Sequence, residues 1–519
     1  MVRSHVLAAV AVVGLALGAT AHATTYHVSP GGSLKAIIGS LQPGDIVEIE
    51  PGTYHEVMET YIDGTPTNPI IIRGVGATRP IFDGNGLDVS GSGSVPRAVI
   101  QFEGASNVIL ENLELKNARN SNGNGAGIRM TGASNVTIRN CKIDYCDMGM
   151  MSDSSNYQYI YGCDVGFNGS TLYNGYSHNF YMGGDNVILR GNYIHDSLNG
   201  QNYKSRAHYN ELWYNWIADS NEGEIGPVEA AETAAANSNT LVIGNTIVSK
   251  PNRTGNSMKY VIFGHDGGGA HNGTMYFYNN TCIANSTNNA FLWVDDALNQ
   301  TRIVAKNNIF YGTTNVVASI SNGLSISGSN NWMPTGTVID PTKATFTSTV
   351  YGTSPGFKDA PNRDYRLTAS SACVNAGTDT LTYVDGAGVS HSVAPLESYL
   401  GGQGLFPRQD NGVLDLGAYE FVATPVLAGD ANFDGLVNGA DYTIWADHLG
   451  ATGCAPWYNG GWQVGNFNDD FVVDGNDYAI WLSHYVAGGG TIPEPATLVL
   501  VLLLLPRLGR KRRSPHSTL

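Results

Sequence analysis

A short apolar phrase that contains asparagine or glycine recurs along the middle of the chain. Each copy is an alternating apolar strand, then Asn or Gly, then a second apolar stub. The clearest copies are NVILENLEL (107–115), NVTIRNCKI (135–143), NVILRGNYI (186–194), ELWYNWI (211–217), TLVIGNTI (240–247), TMYFYNNTCI (274–283) and RIVAKNNIF (302–310), with a weaker YIYGCDV ending at Val165. The ends of successive copies are 22 to 36 residues apart. This is the length of one supersecondary unit per repeat.

The segments between the phrases indicate how the repeat folds. They lack the 3.6-residue apolar period of an amphipathic helix, so each unit consists of strands and turns. Such a repeat predicts an all-β parallel β-helix, a solenoid that can accommodate a chain of 519 residues with 64 glycines and only 14% charged residues. Asn tolerates the left-handed conformation of a sharp corner, and its amide can bond to the next coil. The repeated asparagines are therefore predicted to be structural.

Charge and the N-terminus limit the partners and the compartment. The formal net charge of −16 argues against nucleic acid, because phosphate binding needs basic surface. An acidic polysaccharide is repelled at long range as well, so it needs a local cationic site. Arg3, the apolar run Val6–Leu17 and the small residues Ala21 and Ala23 predict a secretory signal peptide over residues 1–23. The six cysteines are predicted to be mostly buried free thiols, with a bridge among Cys141, Cys146 and Cys163 left open.

Both ends of the repeat region resemble a known family. The opening stretches SLKAIIGSLQPGDIVEIEPGTYHE (33–56), GTPTNPIIIRG (64–74) and PIFDG (80–84) are similar to the first coils of secreted right-handed β-helix enzymes of the pectate-lyase-like group, nearest the chondroitinase B and alginate lyase type. DYRLTASSACVNAG (364–377) and GVLDLGAYEF (412–421) resemble the terminal coils of bacterial β-helix proteins. The resemblance implies a right-handed parallel β-helix domain over 24–421 and a polysaccharide substrate.

A linker, 422–427, leads into a repeated loop-and-helix segment, 428–488. In AGDANFDGLVNGADYTIW, Gly435 stands at position 6 of a calcium loop, and oxygen ligands stand at positions 1, 3, 5, 9 and 12: Asp430, Asn432, Asp434, Asn438 and Asp441. The second copy has Asn466 at position 1 and Phe471 at position 6. Ca2+ is therefore predicted at the first loop and left open at the second. The pair resembles a type I dockerin, which implies a cohesin-like partner.

The C-terminal residues resemble a sorting signal. Pro493-Glu494-Pro495 precedes the apolar run Ala496–Leu505 and a basic cluster that ends at Arg513, as in the PEP-CTERM signal of exosortase-bearing Gram-negative bacteria. Ten apolar residues are fewer than a membrane-spanning helix needs. For residues 489–513, followed by a tail at 514–519, the resemblance implies processing by exosortase-type machinery. It also implies a secreted or cell-surface protein of a Gram-negative bacterium.

The segment before each phrase is itself a strand, and aligning these strands brings polar side chains together. The alignment assumes that one residue of each strand faces the interior: Ile128, Met150, Phe180, Tyr203, Ile225, Ile262 and Leu292. Alternation then points their neighbours outward. One outward column holds Arg129, Met151, Tyr181 and Lys204, the column before it holds Asn179, Asn202 and Glu224, and the column after it holds Asp153 and Arg206. His178 lies at the edge of this patch.

The patch supplies the groups that β-elimination from a uronic acid polymer needs: a base, an acid for the leaving oxygen and a cation for the carboxylate. YKSRAHYNELWYNWI is similar to the chondroitinase B and alginate lyase strand, in which the Lys of a Lys-Ser pair is the base. The resemblance places that role on Lys204. Arg206, Tyr181 and His178 are predicted to assist, and Asn179, Asn202 and Glu224 to bind substrate. The family's Glu-x-Glu calcium ligands are absent from the stretch before Lys204.

Other interpretations stay open. Lys204 and Arg206 also fit an ordinary solvated strand, with Glu222 and Glu224 as ion-pair partners. His265 and Asp266, on the following coil, are weaker candidates. A glycoside hydrolase on the same scaffold needs a facing pair of carboxyl groups. The third alternative is a non-catalytic carbohydrate-binding or adhesive surface protein.

Overall fold

The computed structural model describes residues 23–485, apart from residues 77, 174, 254–258, 265, 267–268, 286–289, 297, 401–403, 409–411, 423–426, 433–434, 455–460 and 469–470. The predicted sorting signal, residues 1–22 of the predicted signal peptide, most of the linker, His265 and Asp434 lie outside the described residues. Within the described part, no helix is long and apolar enough to cross a membrane.

Three parallel sheets form the body of the protein, and on most coils the chain passes through sheets A, B and C in turn, whereas the last two coils have strands in A and B only. Sheet A has thirteen strands: Thr25–Val28, Ile46–Ile49, Ile70–Gly74, Ser106–Glu111, Ser134–Arg139, Asn156–Tyr161, Val187–Arg190, Asn210–Trp213, Thr240–Ile243, Thr274–Tyr278, Arg302–Lys306, Ile326–Ser329 and Ala344–Thr347. Sheet B has twelve: Thr53–Tyr54, Ile81–Asp83, Glu114–Lys116, Lys142–Asp144, Asp164–Gly166, Tyr193–His195, Trp216–Ala218, Thr246–Val248, Thr281–Ile283, Ile309–Tyr311, Trp332–Pro334 and Val350–Gly352. Sheet C has ten: Met58–Thr60, Ala98–Glu103, Ala126–Thr131, Met148–Asp153, Phe180–Met182, Tyr203–Ser205, Ile225–Pro227, Val261–Gly264, Leu292–Asp295 and Val317–Ser319. The predicted right-handed parallel β-helix is confirmed.

Stacked apolar columns fill the interior of the coils. In sheet A one fully buried column runs through Leu110, Ile138, Ile160, Leu189 and Leu212, each in register with the next. Such columns arise because parallel pairing keeps one parity of every strand on the same face. Five of the six cysteines, Cys141, Cys146, Cys163, Cys282 and Cys373, are buried free thiols, as predicted.

An asparagine ladder fixes the corner between sheets A and B. Each side-chain amide nitrogen donates to the side-chain oxygen of the next asparagine at 2.9 to 3.1 Å, through Asn192, Asn215, Asn245, Asn280, Asn308 and Asn331. All six side chains are fully buried. A separate set of corner asparagines, among them Asn112, Asn140 and Asn307, has positive φ. The structural role predicted for the repeated asparagines is confirmed.

The coils end earlier than the sequence resemblance implies. The last parallel strand is Val350–Gly352, and the residues after it form antiparallel hairpins: Phe357–Asp359 with Asp364–Leu367, Thr382–Val384 with Ser390–Ser392, and Glu397–Leu400 with Gly404–Pro407. These hairpins pack on the outer faces of sheets A and B, through contacts such as Arg190 to Glu397 and Asp219 to Arg363. The expectation that DYRLTASSACVNAG and GVLDLGAYEF form terminal coils is therefore wrong.

The C-terminal segment forms a pseudo-symmetric pair of helices, Gly439–Asp447 and Gly475–His484. Each helix begins with a capping box, Asn438 with Asp441 and Asp474 with Asp477. The indole nitrogen of Trp445 donates to the carbonyl of Asp474 at 2.8 Å, and that of Trp481 donates to the carbonyl of Asn438 at 2.9 Å. Short elements complete the description: helix Lys35–Ile38, the 3-10 turns Glu232–Ala234, Ala360–Asn362 and Gly461–Val464, and the hairpin of Thr452–Cys454 with Phe471–Val472.

Candidate active site

An outward column of side chains crosses sheet C, as the alternation of its strands predicted. Arg129 is in register with Met151, Met151 with Tyr181, Tyr181 with Lys204 and Lys204 with Gly226. The matching inward residues Ile128, Met150, Phe180, Tyr203 and Ile225 are fully buried in the core. The column containing Tyr181 and Lys204 is therefore confirmed.

Lys204 and Arg206 converge on one carboxylate. Lys204 Nζ lies 2.6 Å from Asp266 Oδ2, and Arg206 Nη2 lies 2.7 Å from the same oxygen. Arg206 also donates from Nε to Tyr181 Oη at 3.0 Å and from Nη1 to the carbonyl of Glu229 at 2.7 Å. The Lys204 side chain is only 8% exposed, whereas those of Arg206 and Asp266 are 35% and 33% exposed. The cluster therefore has a buried ammonium beneath a guanidinium and a carboxylate that reach solvent.

The ion-pair partner of Lys204 and Arg206 is Asp266, which the sequence indicates only as a weaker candidate. The expectation that Glu222 and Glu224 pair with these two cations is wrong. The carboxylate reaches them from a position 62 residues after Lys204. The alignment of its coil was also shifted by one residue, because Val261 and not Ile262 pairs with Ile225 and Leu292. Both parities of the stretch Val261–Phe263 are apolar, so alternation alone cannot choose between them.

His178 lies beneath the surface and not at the edge of an exposed patch. It is 1% exposed, and its ring packs against Tyr181 with 5.4 Å between centroids. Nδ1 accepts a hydrogen bond from the backbone nitrogen of Gln201 at 2.9 Å, which places the ring proton on Nε2. Burial, reinforced by the charges of Lys204 and Arg206, lowers the pKa of His178 well below its usual range. The residue is a neutral imidazole that holds the Gln201 backbone.

The column predicted to carry Asn179, Asn202 and Glu224 outward is instead fully buried. Asn179 Nδ2 donates to Asn202 Oδ1 at 2.8 Å, and Asn202 Nδ2 donates to Glu224 Oε2 at 2.6 Å. Each of these residues comes immediately before its strand, at the corner where the chain turns from sheet B into sheet C. Strand alternation does not extend through a corner, so the predicted surface position for these three residues is wrong. They form a hydrogen-bonded ladder inside the coil.

A buried ion pair lies at one end of this ladder. Arg253 Nη2 donates to Glu224 Oε1 at 2.5 Å, and both side chains are at most 1% exposed. Burial raises the pKa of Glu224 to about 7, against the opposing effects of Arg253 and Asn202. Arg253 Nη1 also donates a hydrogen bond to the carbonyl of Glu222 at 2.7 Å. Glu224 is therefore committed to Arg253, so it is not the partner of Lys204.

The described part of the first calcium-type loop combines buried carboxylates with a glycine turn. Asp430 and Asp441 are almost fully buried, and Gly435 has φ of 84°. Asp430 Oδ2 accepts from the backbone nitrogen of Gly435 at 2.9 Å, and Asp441 Oδ2 accepts from that of Asn438 at 2.8 Å. Among the described residues, which exclude Asp434, no group of three or more His, Cys, Asp or Glu is arranged around a metal position. The buried carboxylates fit calcium in donor type, and Gly435 has the turn conformation expected at position 6.

The comparisons with known proteins reveal likeness in structure only. No family model matches the chain, and no curated protein matches it in sequence. A pectate lyase, Pel9A, aligns with a TM-score of 0.46 and 14% identity, covering 77% of this chain and 96% of that one. A rhamnogalacturonan lyase also gives 0.46 and 14%, over 65% and 91% of the two chains. An alginate lyase from Paenibacillus sp. gives 0.37 and 13%, over 62% and 98%. The fold described above rests on the strand pairing and not on these likenesses.

Proposed function

We propose that this protein is a secreted or surface-attached polysaccharide lyase that cleaves a uronate-containing glycan by β-elimination. The supporting observation is the convergence of Lys204 and Arg206 on a single carboxylate oxygen beside the Tyr181 hydroxyl. The Arg206 guanidinium, which already holds one carboxylate of the protein, has the chemistry to hold the carboxylate of a uronic acid. Binding it stabilises the negative charge that develops when the neighbouring carbon loses its proton.

Each residue of the cluster has a role in this proposal. Arg206 binds the substrate carboxylate, because its guanidinium reaches solvent. Lys204 acts as the base in its neutral form, after its ammonium proton has gone to solvent, and Asp266, 2.6 Å away, orients its nitrogen. Tyr181 accepts from Arg206 through its oxygen and keeps its hydroxyl proton for the leaving oxygen. His178 positions the Gln201 backbone and transfers no proton.

The lyase is preferred to the glycoside hydrolase because the cluster is centred on two cations. Hydrolysis needs two carboxyl groups that face each other across the scissile bond. Near Lys204, Glu224 is buried against Arg253, and Asp266 is bound by Lys204 and Arg206. A purely adhesive protein uses the same face for binding without turnover, so the assay must separate binding from cleavage.

The test is incubation with pectate, alginate, chondroitin sulfate and dermatan sulfate while the ultraviolet absorbance of unsaturated uronides is followed. Wild-type protein is expected to generate this absorbance with at least one polymer. Lys204→Met is expected to lower kcat by about 100-fold or more. Lys259→Met is the matched control, because it removes another ion-paired lysine of the same region. Reducing ends without unsaturated products would support the hydrolase, and binding without products would support the adhesin.

The base assignment has its own test. If Tyr181→Phe abolishes elimination while Lys204→Met retains most of it, Tyr181 is the base and Lys204 only binds the carboxylate. If both variants keep full activity, the reaction takes place elsewhere and this site assignment fails.

We further propose that Asp430, Asn432, Asp434, Asn438 and Asp441 hold Ca2+, which orders the loop around its ligands. Calorimetric titration is expected to show one calcium site that Asp430→Ala removes. Asn466→Ala, the same substitution at position 1 of the second loop, is the control.

A cohesin-like partner is expected to bind this segment only with calcium present. Deletion of residues 489–519 in a Gram-negative host, followed by cell fractionation, tests the exosortase-dependent location.

A further inference from the structure

Arg129 lies on the same outward column as the proposed active site. The column runs from Arg129 through Met151 and Tyr181 to Lys204, one residue per coil. Three steps of about 4.8 Å place Arg129 roughly 14 Å from Lys204 along the axis of the coils. A single sugar does not span this distance, but an oligosaccharide lying along sheet C does.

The Arg129 guanidinium has no acidic partner among the described residues. Its Nη1 donates a hydrogen bond to Met151 Sδ at 3.4 Å. Two acids of the neighbouring strands are engaged elsewhere, because Gln101 Nε2 donates to Glu59 at 3.2 Å and to Glu103 at 3.1 Å. Gln101 is the residue directly in register with Arg129 on the neighbouring strand. Its amide therefore occupies the place next to Arg129 and binds these two acids there.

A second arginine adds to the positive charge at this place. Arg97 immediately precedes the strand Ala98–Glu103, and its carbonyl accepts from the nitrogen of Ala126 at 2.9 Å. Its side chain forms no ion pair with another described residue. Burial and the charge of Arg97 both lower the pKa of Arg129, while the charges of Asp153 and Glu103 oppose this. A bound anion would relieve the repulsion between the two guanidinium groups.

An apolar strip links Arg129 to the active-site cluster. Ala98, Ala126 and Met148 form a small buried cluster, and Met151 and Tyr181 pack against it. Sugar rings bind to protein through apolar contacts combined with a few fixed polar groups. Met151 and Tyr181, which are partly exposed above this buried cluster, supply the apolar contact, and the arginines supply the polar one.

We propose that Arg129, assisted by Arg97, is a second carboxylate-binding subsite that holds a uronate several sugars away from the bond cleaved at Lys204. The inference deepens the proposed lyase function and depends on it for the identity of the polymer. It also places the long axis of the bound oligosaccharide along the coil axis, over sheet C. The subsite makes the protein selective for stretches of consecutive acidic sugars.

The experiment compares Arg129→Gln with wild type on acidic disaccharides and on long oligomers of the same polymer. The probes are oligogalacturonates, oligoalginates and chondroitin oligosaccharides. With the long oligomer, Arg129→Gln is expected to raise KM, and the Kd measured by calorimetry, about tenfold or more with little change in kcat. With the disaccharide, wild type and variant are expected to be equal. Arg302→Gln on sheet A, which also removes one positive charge, is expected to behave as wild type.

The outcomes separate this inference from the lyase function. Cleavage of long oligomers with unchanged KM in Arg129→Gln overturns the subsite and leaves the lyase intact. Binding of long oligomers that depends on Arg129 but without any cleavage supports the subsite and overturns the lyase. Wild-type protein that binds none of the acidic oligomers overturns both. An equal loss with carboxyl-reduced oligomers also overturns the subsite, because Arg129 would then not be reading the carboxylate.

Discussion

Two columns of side chains lie only two residues apart along the chain, one at the corner before sheet C and one on its strands, and they have opposite characters. Asn179 and Asn202 belong to the inner column, where the ladder amides are fully buried and bonded to one another. Tyr181 and Lys204 belong to the outer column, which reaches the partly exposed Arg206 and Asp266. One column specifies how the coils stack, and the other is available for chemistry.

The difference shows how a repeat protein separates stability from function. A buried amide without a partner costs free energy, so every member of the inner ladder depends on its neighbours. The outer cluster is partly solvated, and its charges contribute less to folding. Substitutions in the two columns should therefore give separable effects, on unfolding for the inner one and on turnover for the outer one.

The largest expected effect is on stability, from Asn202→Leu. The change leaves Glu224 Oε2 and Asn179 Nδ2 without the bonds that Asn202 makes to them. The expected loss in the free energy of unfolding is about 3–5 kcal/mol, measured by urea denaturation. Tyr181→Phe, in the outer column, is the control and should cost less than about 1 kcal/mol. Equal losses in the two variants would contradict the division between the columns.

His195 lies at the same corner, where its carbonyl accepts from Asn179 Nδ2 at 2.6 Å. Although burial lowers the pKa of His195, its hydrogen bonds to Asp164 and Asp196 raise it to about 9. The resulting stabilisation is complete below the ordinary pKa of 6.5 and is lost as pH rises through about 9. His195→Gln should remove this alkaline decrease in the free energy of unfolding, which is about 3 kcal/mol at most. Unfolding curves at several pH values test it, and an unchanged slope would disprove the assignment.

Asp266→Asn tests the outer column directly. The amide lacks the charge that holds Lys204 and Arg206 in position, so kcat on the responsive polymer should fall by about tenfold or more. The unfolding midpoint should change little, because the carboxylate is partly exposed. Asp153→Asn, at the exposed end of another strand of sheet C, is the control and should be neutral. Full activity in Asp266→Asn would show that this carboxylate does not position Lys204 or Arg206 for the reaction.

The smallest effect at neutral pH is expected from His178. Because its pKa is lowered well below 6.5, the unfolded chain binds the proton more readily, and His178 costs stability only as pH falls below 6.5. His178→Gln should reduce this acid loss, the reverse of the alkaline effect at His195. The pH profile of kcat should show no ionisation of His178 near 6.5. Such an ionisation, present in wild type and absent in His178→Gln, would make His178 a participant in proton transfer.

The sequence predicted the parallel β-helix and the outward column of sheet C. Its predictions were wrong for residues that lie outside regular strands. Strand alternation placed Tyr181 and Lys204 together, because parallel pairing preserves parity across coils. Asn179 and Asn202 were misplaced because they sit at corners, whose backbone turns their side chains inward. Asp266 was underrated because it arrives from a distant loop, and no local pattern encodes that approach. The long C-terminal hairpins were also missed, since their apolar residues resemble those of further coils.

The paired tryptophans of the C-terminal segment limit how it can be divided. Gly429 and Gly465 have φ near 90°, and an added Cβ would come within 2.8 Å of the Trp481 Cα and 2.6 Å of the Trp445 Cα. Each half therefore closes against the helix of the other half, in addition to the exchanged indole bonds. Neither half is a self-sufficient folding unit, so a truncation between the two loops would lose both. A cut ahead of the first loop keeps both copies together but removes Phe406, whose ring packs against Trp462 with 4.6 Å between centroids, so the segment should be carried with the hairpin that contains Phe406.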